Sequence, residues 1–72
     1  SRLGRYDPKV QEDVIGLLDS DDYRLRGAVI FALGEFGTER ALRALEERWW
    51  GEPDVRHRRS IETALKAADA RP

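Results

Sequence analysis

The sequence predicts an all-α fold of four helices, arranged as two antiparallel helical hairpins that stack into a short α-solenoid. Apolar residues recur three or four positions apart in four successive segments, and none of these segments alternates with the period of two that marks a strand. In addition, residues 22–33 are echoed by residues 54–65 at a shift of 32 positions. A repeat of this length, with a pair of helices in each unit, is the signature of an α-solenoid.

Start and stop signals place each helix along the chain. We expect a single domain over residues 1–72, with a tail at 1–6 and helices at about 8–18, 22–36, 38–50 and 54–69. Asp7-Pro8 combines a capping side chain with a proline at the first helical position. Gly37 is a natural stop for the second helix, and Thr38 a natural cap for the third. The residues "GEPD" at 51–54 separate the third helix from the fourth.

The second helix is expected to bury one broad apolar face, made of Leu25, Ala28, Val29, Ala32, Leu33 and Phe36. Ile30 and Phe31 fall outside this face, on the two flanks of a back face that carries Gly27 and Gly34. The matching positions of the fourth helix are polar. Either the second helix touches neighbours on more than one side, or its back face is an exposed patch for a partner or a second copy of the chain.

Composition limits the classes of function. Hydrophobic residues make up 40% of the 72 residues and the formal net charge is −1, so no global field attracts nucleic acid or membrane. The chain has no cysteine and one histidine, which excludes thiolate and multi-histidine metal sites and suits a cytoplasmic location. The apolar run at 27–33 is far shorter than the ~20 residues of a transmembrane helix. We predict no catalytic, cofactor or metal site, and no cofactor.

The stretch "DSDDYRLRGAVIFALGEFGTERALRALEERW" at residues 19–49 resembles the HEAT-like repeat family, especially the short repeats of the phycobilisome-lyase type. The resemblance is carried by Leu25-Arg26, Ala32-Leu33-Gly34, Gly37 and the spaced alanines and leucines of residues 41–45. It implies a two-repeat α-solenoid fragment that binds proteins. The bilin chemistry of the lyase branch belongs to much longer chains, and we do not expect it here.

The second repeat departs from that pattern. "EPDVR" at residues 52–56 fits the start of a unit, but it lies two residues early relative to Ala64-Leu65. Either the preceding loop has a small insertion or the fourth helix begins sooner. Lys66 stands where the first repeat has a glycine, which suits a terminal repeat whose outer side meets water.

We therefore predict a non-enzymatic protein–protein interaction or scaffolding module, belonging to a longer protein or an oligomer, with Ile30, Phe31 and Trp50 as candidate partner contacts. One alternative is a nucleic-acid-binding accessory domain. Its basic ridge would comprise Arg24, Arg26, Arg56, Arg58, Arg59 and Lys66. A third hypothesis is a regulatory appendage of a larger enzyme.

Two other side chains have a structural expectation. Trp49 follows Leu42 by seven residues and Leu45 by four, so it is expected in the core. His57 matches Leu25 in the repeat and is expected to be a partly buried packing residue. A general base would require an oriented nucleophile or carboxylate partner, and the sequence places none beside it.

Overall fold

The computed structural model describes residues 7–70, and these residues form four α-helices. They are α1 (Pro8–Gly16), α2 (Tyr23–Phe36), α3 (Glu39–Gly51) and α4 (Val55–Asp69), and a 3₁₀ turn at Leu17–Asp19 follows α1. No strand occurs between residues 7 and 70. The all-α prediction is confirmed, and the tail expected at residues 1–6 lies outside the described residues.

The helix starts follow the capping signals. The side chains of Asp7, Asp22, Thr38 and Asp54 each accept a hydrogen bond from a backbone N–H two or three residues further along. These bonds satisfy donors that have no partner inside the helix. At the other end of α2, Gly37 has φ 63°, a left-handed conformation that glycine adopts without steric cost. Local chemistry therefore sets these boundaries.

The two hairpins stack in register. Consecutive helices contact each other, while α4 packs along α2 and α3 contacts α1, so that α2 and α4 form one layer and α1 and α3 the other. The contact between α2 and α4 is the most extensive of all. This arrangement is the short helical solenoid that the repeat predicts.

The register of the second repeat follows from the two caps. Asp22 precedes α2 and Asp54 precedes α4, which gives a shift of 32 residues with no insertion and no early start. Arg58 is therefore the counterpart of Arg26. Val55-Arg56 of "EPDVR" therefore lies two positions before the counterpart of Leu25-Arg26, and Val55 is exposed.

The core corrects the prediction for α2. The buried hydrophobic residues are Leu18, Val29, Ile30, Leu33, Ala41, Ala44, Leu45 and Ile61. Ile30, which falls outside the expected apolar face, is only 1% exposed, whereas Leu25 and Ala28 of that face are exposed. The reason is that α2 packs against α3 and α4 together, which turns its buried face towards α4.

The two glycines of α2 let α4 approach closely. A Cβ atom added to Gly27 would lie 3.0 Å from Cε1 of His57, and one added to Gly34 would lie 3.0 Å from Cβ of Ala64. His57 is buried, as expected, with its ring stacked on Tyr23 at 4.1 Å and its Nε2 2.8 Å from the Tyr23 carbonyl oxygen. The back face of α2 therefore serves mainly as an internal contact between repeats.

Replacing Gly34 with valine is expected to lower the free energy of unfolding by about 1–3 kcal/mol. The added Cβ already meets Ala64 at 3.0 Å, and valine brings two further methyl groups. Gly16→Ala is the matched control, because a Cβ there meets nothing within 4 Å, and it should stabilise the helix by about 0.5–1 kcal/mol. Urea denaturation of both variants checks this. Equal effects of the two substitutions would contradict a close contact at Gly34.

Candidate functional site

The first candidate surface is a groove between α2 and α4, which we call the Phe31 groove. Its lining includes Gly27, Phe31 and Gly34 of α2 and Thr63, Ala64 and Ala67 of α4, and its volume is about 390 Å³. Phe31 is 71% exposed on one wall. Small residues form the floor because α2 and α4 meet closely there, so that the aromatic ring stands above a shallow apolar channel.

Trp50 lies apart from that groove. It is 79% exposed, and its ring lies perpendicular to the Trp49 ring, with 5.0 Å between the two ring centres. Trp49 packs against the core but is only partly buried, and its Nε1 donates a hydrogen bond to Oε2 of Glu62 over 2.8 Å. The three candidate contacts do not form one patch: Ile30 and Phe31 both line the Phe31 groove, where Ile30 is buried, while Trp50 lines a different groove.

The predicted basic ridge loses Arg26 to the interior. The Arg26 guanidinium donates to both carboxylate oxygens of Glu52, each over 3.0 Å, and a third bond reaches the carbonyl oxygen of Ser20. The side chain of Glu52 is 0% exposed. The alternative nucleic-acid hypothesis places Arg26 on an accessible basic ridge. Arg26 is instead held inside by a carboxylate from the α3–α4 connection, and this is a correction to the ridge.

The other members of the ridge differ in accessibility. Arg24, Arg56, Arg59 and Lys66 are exposed. Arg58 is partly buried, with its guanidinium carbon 4.0 Å from the centre of the Trp49 ring, and its buried Nε has no hydrogen-bond partner among the described residues. Four exposed cations therefore remain on the ridge.

Glu52 organises a buried polar cluster that includes Arg26. In addition to Arg26, it accepts hydrogen bonds from Nε of Arg48 over 3.1 Å and from the backbone N–H of Asp54 over 3.0 Å. Its counterpart one repeat earlier is Ser20, so the repeat offers no signal for a buried carboxylate at this position. The cluster ties α2 and α3 to the start of α4.

The ionisation of Glu52 reflects these bonds. Burial by itself favours the neutral acid, but the hydrogen bonds from Arg26, Asp54 and Arg48 outweigh that effect and lower the pKa of the carboxyl to about 2. The carboxylate is thus fully charged at neutral pH. Because four N–H donors point at it, the cluster is satisfied within the fold and structural in character.

Between residues 7 and 70, no group of three or more histidine, aspartate or glutamate side chains is arranged to hold a metal ion. None of the helices α1 to α4 is long and apolar enough to cross a membrane.

Comparison with known proteins agrees with the repeat architecture. Residues 2–66 match the family model described as HEAT repeats. Searches of curated proteins and of solved structures found no match. The family match does not distinguish the phycobilisome-lyase type, which stays a prediction. Since the match spans nearly all of the 72 residues and the helices stack as two layers, the chain belongs to the HEAT-repeat family.

Proposed function

We propose that this chain is a non-catalytic protein–protein interaction or scaffolding module that binds its partner in the Phe31 groove. Repeats of this family generally mediate contacts between proteins. The observation that carries the proposal is Phe31, whose side chain is 71% exposed on the wall of a channel of about 390 Å³. An aromatic side chain beside a concave apolar surface is the usual anchor of a protein interface.

The partner belongs to one of two classes. A second copy of the chain would complete the short solenoid as an oligomer, and a segment of another protein would use the same groove. Because a two-repeat solenoid buries apolar surface only between its few helices, further contacts would also add stability. We place this interaction in the cytoplasm, since a chain without cysteine suits a reducing compartment.

Phe31→Ser is expected to leave the fold intact and to weaken partner binding at least about tenfold, which corresponds to about 1.4 kcal/mol. The side chain is exposed, so its loss removes little from the core. Self-association is measured by light scattering across a concentration range. Binding of a second protein is measured with peptides selected from a random library on the wild-type chain.

Val55→Ser is the matched control, because Val55 is also an exposed apolar residue but lies outside the Phe31 groove. The proposal predicts that only the Phe31 substitution weakens binding. If both variants keep the mass in solution and the peptide affinity of the wild type, the groove is not the binding surface.

The nucleic-acid alternative rests on the four exposed cations that remain after the burial of Arg26. It predicts salt-sensitive binding to DNA or RNA that is lost in Arg56→Ala and Arg59→Ala variants. Asp22 and Asp54, at the starts of α2 and α4, already occupy the backbone donors that a phosphate would use. The geometry therefore favours the protein-binding proposal. A regulatory role beside an enzyme stays a hypothesis.

A further inference from the structure

A second groove runs between α3 and α4, with a lining that shares no residue with the Phe31 groove. Its floor is formed by the partly buried Leu42, Trp49, Leu65 and Ala68. Two cavities of about 300 Å³ each lie along it, and both are lined by Glu46 and Leu65. They are therefore adjacent, and we call the two together the acidic groove.

Carboxylates dominate the edges of the acidic groove. They are Glu39, Glu46, Glu62 and Asp69. Among the described residues, Arg43 is the only cation in the lining of the two cavities, and its Nη2 is paired with Glu39 over 2.7 Å. Arg58 also lies close, but its guanidinium is stacked on the floor, over the Trp49 ring. The edges therefore carry a clear excess of negative charge.

Two of these carboxylates are without a bonded partner in the part of the chain that the structure describes. Glu46 and Asp69 are exposed, and neither makes an ion pair or a side-chain hydrogen bond within residues 7–70. Glu62, by contrast, accepts the hydrogen bond from Trp49 and holds the indole in place on the floor. The groove thus combines an apolar floor with free negative charge along its edges.

The dimensions of the groove match a short helix. Along α3 it extends from Glu39 to Trp50, which at about 1.5 Å per residue is roughly 17 Å, or three helical turns. The exposed Trp50 ring stands at one end and adds a large apolar surface. A helix laid in such a groove would bury side chains spaced three and four residues apart.

We propose that the acidic groove binds an amphipathic helix of about three turns, whose apolar stripe is flanked by lysine or arginine. The leucine-lined floor takes the stripe, and Glu46 and Asp69 attract the flanking cations. The complementary charges select a basic helix over an acidic one with the same apolar stripe. This surface is separate from the Phe31 groove, so the inference does not rest on the proposed function.

The test uses a synthetic helical peptide of about three turns, with leucines on one face and lysines on both flanks. Its twin carries glutamates in place of the lysines. Titration into the whole chain is followed by tryptophan fluorescence, because both indoles line the groove. The lysine peptide is expected to bind and to change the emission, whereas the glutamate peptide is expected to leave it unchanged.

Charge reversal locates the binding site. The double variant Glu46→Lys/Asp69→Lys is expected to bind the lysine peptide at least about tenfold more weakly. Asp13→Lys/Asp21→Lys is the matched control, because it makes the same change in net charge at exposed positions outside the groove. The control and Phe31→Ser should both retain the wild-type affinity.

Several outcomes would overturn the inference. One is an equal loss of affinity in the two charge-reversed variants, and another is equal binding of the two peptides. A third is that the lysine peptide does not bind even at a concentration of about 1 mM, since a dissociation constant above that value means very weak binding. A change in the molar mass of the free chain on reversing Glu46 and Asp69 would mean that a second copy occupies the groove instead. None of these outcomes depends on the Phe31 groove. The proposal that a partner binds in that groove is tested separately, by the Phe31→Ser variant.

Discussion

Replacing Glu52 with glutamine is expected to lower the free energy of unfolding by about 3–5 kcal/mol, the typical cost of removing one partner from a buried ion pair. All four donors around the carboxylate are N–H groups, two on each oxygen. A glutamine amide can accept on one side only, so its NH₂ group would face other donors on the second side. The variant also leaves the buried guanidinium of Arg26 without the carboxylate that it is bonded to.

Urea denaturation at neutral pH measures this effect, with Glu12→Gln as the matched control. Glu12 also forms a bidentate pair with an arginine, Arg40, over 2.7 and 2.9 Å, but both side chains of this pair are exposed. Exposed pairs are screened by water and contribute little, so the control should unfold almost as the wild type does. A loss of stability of the same size in both variants would contradict the structural role of Glu52.

The same carboxylate predicts a dependence of stability on pH. Its pKa in the folded protein, about 2, lies below the ordinary value of 4.5, so the folded state favours the ionised form. The contribution to stability is therefore complete above about pH 4.5 and is lost as the pH falls towards 2. The shift corresponds to about 3 kcal/mol. The unfolding free energy of Glu52→Gln should fall less steeply than that of the wild type over this range.

Leu33→Ala is expected to cost about 2–5 kcal/mol, because it deletes a fully buried side chain at the centre of the core and leaves a cavity. Small domains are stable by only about 5–15 kcal/mol, so this loss removes a large share of the total. Leu33 and Ile30 are both buried residues of α2, and they belong to one hydrophobic cluster with Leu45 and Ile61. Thermal or urea denaturation followed by circular dichroism measures the change.

The matched control for the core is Val55→Ala, a truncation of an exposed apolar side chain near the start of α4. It should change the unfolding free energy by less than about 0.5 kcal/mol, as surface substitutions usually do. A melting curve of Leu33→Ala that coincides with that of the control would show that Leu33 does not belong to the core.

The prediction of the helices succeeded because the signals are local. A cap such as Asp22 or Thr38 bonds to an amide only two or three residues away, and Gly37 adopts a conformation that its own lack of a side chain permits. The 32-residue echo then implied that the second pair of helices repeats the first. These features require no knowledge of which surfaces meet.

The candidate surfaces were predicted less completely. Phe31 and Trp50 are exposed, but Ile30 is buried and the two aromatic residues line separate grooves. A helical wheel shows which residues share a side of a helix, yet it does not show how many neighbours cover that side. The width of the buried face of α2 depends on the approach of α4, which Gly27 and Gly34 permit.

The sequence by itself determined the helical class, the capped helix starts and the repeat, since each follows from contacts within a few residues or from a period along the chain. Only the tertiary structure decided the partner of Arg26, which is Glu52, 26 residues away in the connection before α4. It also decided which carboxylates remain free beside an apolar floor. The physical reason is that pairing and burial depend on distances between elements, and these arise only when the helices pack.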